Sequence, residues 1–345
     1  MFLSKRFQGW HLFLLLMLLL VSVGKLLLTG LEVRAVSPSI YYGVYESGWL
    51  NTLTRITSFE RDAGKPVSMI MDGQGWGLTD GAQYFEPLWM NTIRQHGSIP
   101  VVEWGSWLYS AGVNQPTYAL SRIINGSFDS YITRWAQDVK AWGHPLFICF
   151  DVEMNGAWYP WSEKVNGNKA GQFVQAWRHV HDLFTAEGVS NVSWVWSPNV
   201  ENGNANPLTG LYPGDAYVDW VGMIGYNWGS VRPDLGWKTF AQVFGQTYAD
   251  LGKLAPTKPL MIVETGSSEE GGSKAEWLTD AFSTQLPEAF PLIHAVVWFN
   301  EPDQGEDWRI ESSKTAQAAF AQAIASDTYA TNAYATLTTS PIPVP

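Results

Sequence analysis

The sequence predicts an α/β fold, a (β/α)8 barrel in one large domain, on three observations. Eight short apolar runs are separated mostly by amphipathic stretches of helical period. Gly and Pro punctuate the turns that enter the runs, as in Gly64-Lys-Pro66, Gly143-His-Pro145 and Pro256-Thr-Lys-Pro259. Nearly every run also ends on a residue able to do chemistry, as expected where each strand of a closed barrel contributes to one face. A doubly wound sheet is the alternative, and this last observation weighs against it.

The chain opens on a targeting segment. Lys5 and Arg6 precede an apolar stretch from His11 to Gly24, and Val33-Arg-Ala35 offers a small residue for cleavage. Residues 1–35 are therefore expected to be a signal peptide, cleaved near Ala35. Because Lys25 is followed by more leucines, an uncleaved membrane anchor is the alternative. Both readings place the rest of the chain outside the cytoplasmic membrane.

The apolar runs then follow as Ile40–Tyr45, Val67–Met71, Ile99–Trp104, Pro145–Phe150, Ser193–Trp196, Trp220–Tyr226, Pro259–Val263 and Ile293–Phe299. Helical periodicity marks Tyr84–Gln95, Phe128–Trp142, Ala170–Glu187, Phe240–Leu254 and Ala275–Phe290. A last helix, Ser313–Ser326, covers the final strand and closes a domain of residues 36–326. Residues 327–345, rich in Thr, Ala, Ser and Pro, lack apolar periodicity and are expected to be a loosely attached low-complexity tail. There is no solenoid repeat and no second domain.

Composition narrows the chemistry. A hydrophobic content of 46% with 15% charged residues describes a well-cored globular chain. A net charge of −11 argues against a nucleic-acid partner, which needs a basic surface, and fits a neutral ligand. The single cysteine, Cys149, precludes intrachain disulfides and a cysteine-based metal site. No phosphate loop, metalloprotease motif or nucleophile elbow is present, so no metal or cofactor is expected. The 19 Trp, 14 Tyr and 16 Phe exceed what core packing alone needs, and their clustering at strand ends points to a carbohydrate cleft.

The predicted C-terminal strand ends carry Glu46, Asp72, Glu103–Trp104, Glu153, Trp196, Tyr226–Trp228, Glu264 and Trp298. Glu153 and Glu264 stand out, since each follows a β-rich run and precedes a small-residue turn. A lone strand-end glutamate is ordinarily a salt-bridged loop residue. Two of them at strands four and seven, with Asn155, Trp158 and Trp161 crowding the first, reverse that preference. Paired carboxylates among aromatics suit glycosidic bonds, because sugar faces stack on indoles while a carboxyl group works the glycosidic oxygen. Glu46, Glu103 and Glu301 compete with this pair. Glu103 is read as lining a sugar subsite and Glu301 as a loop residue. Trp104 and Trp107 form a candidate distal sugar platform. Period-two alternation puts Asp151 on the strand face of Cys149 and Glu153, where it is read as a satisfied core polar residue.

Four strings, Glu153-Met-Asn-Gly-Ala-Trp-Tyr-Pro-Trp161, Trp194-Val-Trp-Ser-Pro-Asn199, Gly225-Tyr-Asn-Trp-Gly229 and Val263-Glu-Thr-Gly266, resemble successive motifs of glycoside hydrolase family 26. The similarity runs from about Tyr41 to the last helix. It implies a retaining hydrolase with Glu153 as acid/base, Glu264 as nucleophile and Tyr226 bonded to the nucleophile. Trp158 and Trp298 would wall the cleaved sugar. Asn155, Trp161, Trp196, Trp228, Trp104 and Glu103 complete the expected substrate contacts. The chain departs from the family where a His and an Arg are usual, at Val152 and Cys149. The reading that follows is an exported, monomeric endo-β-glycanase with β-mannan as first substrate and β-1,3/1,4-glucan or β-1,3-xylan next. The alternatives are an anchored hydrolase trimming the cell's own polysaccharide and a glycan-binding barrel without turnover.

Overall fold

The computed structural model describes residues 39–46, 53–78, 81–200 and 207–345. The targeting segment, its cleavage site and the alternative anchor lie outside them. Among the described residues, no helix is long and apolar enough to cross a membrane.

Eight parallel strands close a barrel: β1 (Tyr41–Tyr45), β2 (Met69–Leu78), β3 (Ile99–Leu108), β4 (Leu146–Phe150), β5 (Val192–Trp196), β6 (Trp220–Asn227), β7 (Leu260–Ser267) and β8 (Ile293–Phe299). Each pairs with the next, and β1 pairs with both β2 and β8, which leaves no barrel edge unpaired. All eight apolar runs are strands. The strands β2, β3 and β7 continue past the end of their apolar runs.

The helices between them are α1 (Thr54–Ala63), α2 (Pro87–His96), α3 (Leu120–Ile124), α4 (Asp129–Trp142), α5 (Gln172–Ala186), α6 (Phe240–Leu254), α7 (Lys274–Asp280) and α8 (Lys314–Ile324). A π-helical stretch, Ala281–Ala289, continues α7. The periodicity did not mark α1, whose buried face is only Ile56, Phe59 and Ala63.

Two apolar layers follow from the strands having a buried inner and a buried outer face. Inside the barrel lie Met69, Val101, Phe147, Cys149, Val195, Ile224, Met261, Val263 and Val297. Between barrel and helices lie Val102, Trp104, Ile148, Phe150, Trp196, Met223, Ile262, Val296 and Trp298. Alternation within each strand assigns its residues to the two layers.

The C-terminal segment is not loosely attached. Tyr329 bridges Ile40 beside β1, and its phenol donates to the carbonyl of Phe282. Ile342 is 1% exposed and packs among the inner-layer residues. Its amide donates to Ser193 Oγ at 2.7 Å, and its carbonyl accepts from Trp220 Nε1 at 2.8 Å. The Tyr334 ring packs edge-on to Tyr41, and its amide donates to the carbonyl of Gly97 at 2.7 Å. Residues 327–345 therefore seal the N-terminal mouth of the barrel. Scattered anchors at Tyr329, Tyr334 and Ile342 have no helical or strand period, which is why composition alone suggested a tail.

Candidate active site

At the end of β4 the backbone leaves the strand abruptly. Asp151 and Glu153 both adopt left-handed conformations, with φ of 45° and 55°, unusual for residues with a side chain. Neighbouring strands hold them there. The Asp151 carboxylate accepts from Ser106 N at 2.7 Å and Ser106 Oγ at 2.8 Å, and the Glu153 amide donates to the carbonyl of Ser197 at 2.7 Å. Period-two alternation therefore stops at Phe150. Asp151 is buried and satisfied, as expected, but its carboxylate is spent on β3 and does not add an acid beneath Glu153.

Glu153 receives two uncharged donors. Trp158 Nε1 donates to its Oε2 at 2.8 Å, and Asn199 Nδ2 donates to its Oε1. Burial pushes its carboxyl up, and these two donors pull it back. Asn199 is in turn locked to Asn155: the Asn199 amide donates to Asn155 Oδ1 and Asn155 Nδ2 to the Asn199 carbonyl, both at 2.9 Å. Asn155 thus positions the donor to Glu153. Gly156 makes room for the Trp158 ring, since a Cβ there would lie 2.5 Å from it. Trp158 remains 43% exposed, with indole surface available to a sugar. The Trp161 indole donates to the Val152 carbonyl at 2.7 Å and stacks on Tyr159, so it braces the loop.

Glu264 reaches the cleft by another device. The pairing of β6 with β7 shifts register so that Met223 opposes Ile262 while Ile224 opposes Glu264, leaving Val263 as an extra residue. Met261 and Val263 point inward. Simple alternation would therefore turn Glu264 out toward the helices, and the bulge re-aims it into the barrel mouth. There Tyr226 OH donates to its Oε2 at 2.7 Å. Glu103, on the inner face of β3 with Val101, lies close enough for its charge to act on Glu264. Burial is the largest influence on Glu264 and pushes it well above the usual carboxylate range. The charges of Glu103 and Glu153 add to that, and Tyr226 opposes it.

Other expected residues fall into three groups. Trp228 stays half-buried at the site, with Tyr226 at 5.9 Å and Trp308 edge-on at 4.8 Å. Glu46 and Glu301 belong to an ion cluster: Arg55 Nε lies 2.8 Å from Glu46 and its guanidinium 2.9 Å from Glu301, while Asn300 donates to Glu46 at 2.6 Å. Burial leaves Glu46 raised to about 7 in spite of these partners.

Trp104, Trp196 and Trp298 are not in the cleft. All three are fully buried in the outer layer. Trp104 stacks on Trp135 at 4.5 Å, Trp196 meets Tyr212, and Trp298 lies among Phe282, Phe320 and Trp277. Each is one residue out of phase with the inward positions of its strand. The aromatic that β8 supplies toward the inner mouth is Phe299, stacked on Tyr45 at 5.0 Å and edge-on to Tyr226. Trp107, the other half of the expected platform, is partly buried among Tyr109, Tyr159 and Trp161, with Tyr109 77% exposed beside it. Asn199 and Phe299 were missed as site residues. Asn199 could have been found as the polar residue one step past Pro198 at the end of β5. Among the described residues, no group of three or more His, Cys, Asp or Glu is disposed to hold a metal ion.

Two carboxyl groups delivered from β4 and β7 to one barrel mouth, beside a half-exposed indole, make up the type of site that cleaves glycosidic bonds with two acids. The sequence profile of glycosyl hydrolase family 26 matches residues 33–266. The chain belongs to that family. It is 37% identical over 296 residues to Endoglucanase H of Acetivibrio thermocellus, covering 82% of this chain and 31% of that protein. It is 24% identical over 299 residues to a mannan endo-1,4-beta-mannosidase of Bacillus subtilis, covering 82% of this chain and 70% of that one. The chain thus spans under a third of the first relative's length. In three dimensions it resembles the Bacillus subtilis mannanase man26 with a TM-score of 0.62 at 16% identity, covering 84% and 86% of the two chains. That likeness speaks for the shared barrel.

Proposed function

We propose that this protein is a retaining endo-β-glycanase in which Glu153 is the acid/base and Glu264 the nucleophile. The observation that carries the reading is that the two carboxyl groups, brought in by a left-handed loop and a β-bulge, are close enough for the charge of one to raise the other. In such a reaction Glu153 gives its proton to the glycosidic oxygen as Glu264 bonds to the anomeric carbon and the aglycone leaves. Forming the ester removes the charge of Glu264, so the Glu153 carboxylate can next take a proton from water as that water displaces Glu264. Binding without turnover is less well supported, since both carboxylates are present with donors arranged around them.

The substrate we put first is a β-glucan, with β-mannan, the expectation from sequence, second. The relative at 37% identity carries the name endoglucanase, and the mannosidases match at 24% and 28%. Val152, apolar and buried beside Glu153, also stands where the family usually carries a His, which speaks against the family's usual mannan preference. Export through residues 1–35 belongs to the same proposal and is supported by their charge and apolar pattern. Incubation with β-glucans, β-mannans and xylans tests it, with the anomer of the first-formed product followed by NMR. Internal cleavage with retained β configuration is expected. Inversion, or no cleavage of any of them, would overturn the mechanism.

A further inference from the structure

Lys274, the first residue of α7, is a cation in a costly place. Its side chain is fully buried, and burial lowers the ammonium to about 8, so it is still charged at neutrality. A positive charge at the start of a helix also meets the positive end of the helix dipole. Neither burial nor position serves α7 itself, and the side chain is spent on another element. Nζ donates to the carbonyl of Asp307 at 3.1 Å, to the carbonyl of Arg309 at 2.8 Å and to Ser312 Oγ at 2.9 Å. All three acceptors are uncharged and lie on the loop between β8 and α8. The carboxylates whose charges act on the ammonium are Glu269, from the loop after β7, and Glu306, Asp307 and Glu311 of the β8–α8 loop.

Between the two bonded carbonyls stands Trp308. Its own carbonyl accepts from Trp298 Nε1 at 3.1 Å, and its amide donates to the carbonyl of Glu301 at 3.2 Å. Its ring is 1% exposed and lies 4.9 Å from Tyr226 and 4.8 Å from Trp228. Strand β7 makes room for that ring: a Cβ on Gly266, two residues beyond Glu264, would lie 2.9 Å from it. The Tyr226 phenol in turn donates to Glu264 at 2.7 Å.

An unbroken run of contacts therefore joins Lys274 to Glu264 through Trp308 and Tyr226. We propose, building on Glu264 as nucleophile, that Lys274 is a positioning residue: it clamps the β8–α8 loop so that the Trp308 ring holds Tyr226 on the Glu264 carboxylate. Without the clamp, two buried carbonyls lose their donor, Trp308 is free to tilt, and Tyr226 donates less well. Glu264, already raised by burial and by the charges of Glu103 and Glu153, then titrates higher still.

The experiment compares Lys274→Met, similar in length but without a donor, with the wild type and with Tyr226→Phe. The pH profile of kcat/KM on an activated aryl glycoside reports Glu264, because a good leaving group needs little help from Glu153. In Lys274→Met the acid limb should move up in pH, in the direction expected for Tyr226→Phe but by less. The rate at the optimum should fall about tenfold, as for a slightly misplaced reacting group. Adding Lys274→Met to Tyr226→Phe should move the limb no further, since the bond through which the lysine acts is already gone. A lysine that only stabilised the fold would lower Tm and leave the limb in place.

Ser312→Ala removes one acceptor and keeps the cation, so it carries the same test if Lys274→Met does not fold. Its limb should move in the same direction by a smaller amount. An unmoved limb in whichever variants fold, or a further shift in the double variant, would overturn the inference. Glu264→Ala, run in parallel, separates the two readings. Full activity there means that the nucleophile assignment has failed. A dead Glu264→Ala beside an unmoved limb leaves that assignment standing and removes only the part given to Lys274.

Discussion

Glu153 and Glu264 face the same cleft, yet the molecule holds them by opposite means. Glu153 sits on an irregular loop and takes hydrogen bonds from an indole and an amide, neither of which titrates. Glu264 sits within a strand, turned inward by one extra residue, and its partners are a phenol and another acid. On the proposed roles, the acid/base is surrounded by fixed dipoles, whereas the nucleophile lies beside a second acid whose charge acts on it. The contrast teaches that similar burial need not mean similar roles, because the partners decide which form of each acid is favoured.

The largest test removes one side altogether. Glu264→Ala should reduce turnover by several orders of magnitude, more than about 5 kcal/mol of barrier at 1.4 kcal/mol per tenfold. Azide should partly restore cleavage by entering from the vacated side, giving a glycosyl azide of inverted configuration. Retained configuration in that product would place the nucleophile elsewhere. Glu153→Ala comes next and should discriminate between substrates. Polysaccharide cleavage should fall about 10³-fold while glycosylation by an activated aryl glycoside survives. Equal losses on both would deny Glu153 the acid's part.

Two smaller changes should move opposite limbs of the pH profile. Tyr226→Phe deletes a donor that favours ionised Glu264, so the carboxyl titrates higher still. The acid limb of kcat/KM then moves up in pH, with a loss of about 10–100-fold in rate. Trp158→Phe deletes a donor that favours ionised Glu153, so Glu153 keeps its proton to higher pH. The alkaline limb moves up, with a loss of about tenfold. If both variants shifted the same limb, the two carboxylates would not have separate proton duties.

Much of this contrast was legible in the sequence, and the failures share one cause. Eight apolar runs gave eight strands, and the carboxylates ending the fourth and seventh meet at the site. Barrel strands are apolar on both faces, however, so an aromatic at a strand end does not say which way it points. Trp104, Trp196 and Trp298 read like cleft walls but alternate outward, while Phe299, one step beyond Trp298, faces Tyr45 and Tyr226. Alternation fails in turn where the backbone is irregular. The left-handed residues after β4 and the bulge in β7 depend on partners far along the chain, Ser106, Ser197 and Ile224, that no local pattern reports. The C-terminal segment was misread for a related reason, because its order comes from what it touches.

That segment ties the ends of one strand to different fates. At its foot, β5 is bonded through Ser193 to Ile342. Just past its head, Ser197 and Asn199 carry the amide and the carboxyl of Glu153. Heat or a protease that frees the last residues from the barrel floor would loosen the strand that aims the acid. Shedding of the segment and failure of catalysis should then follow one time course, with the rest of the barrel still folded.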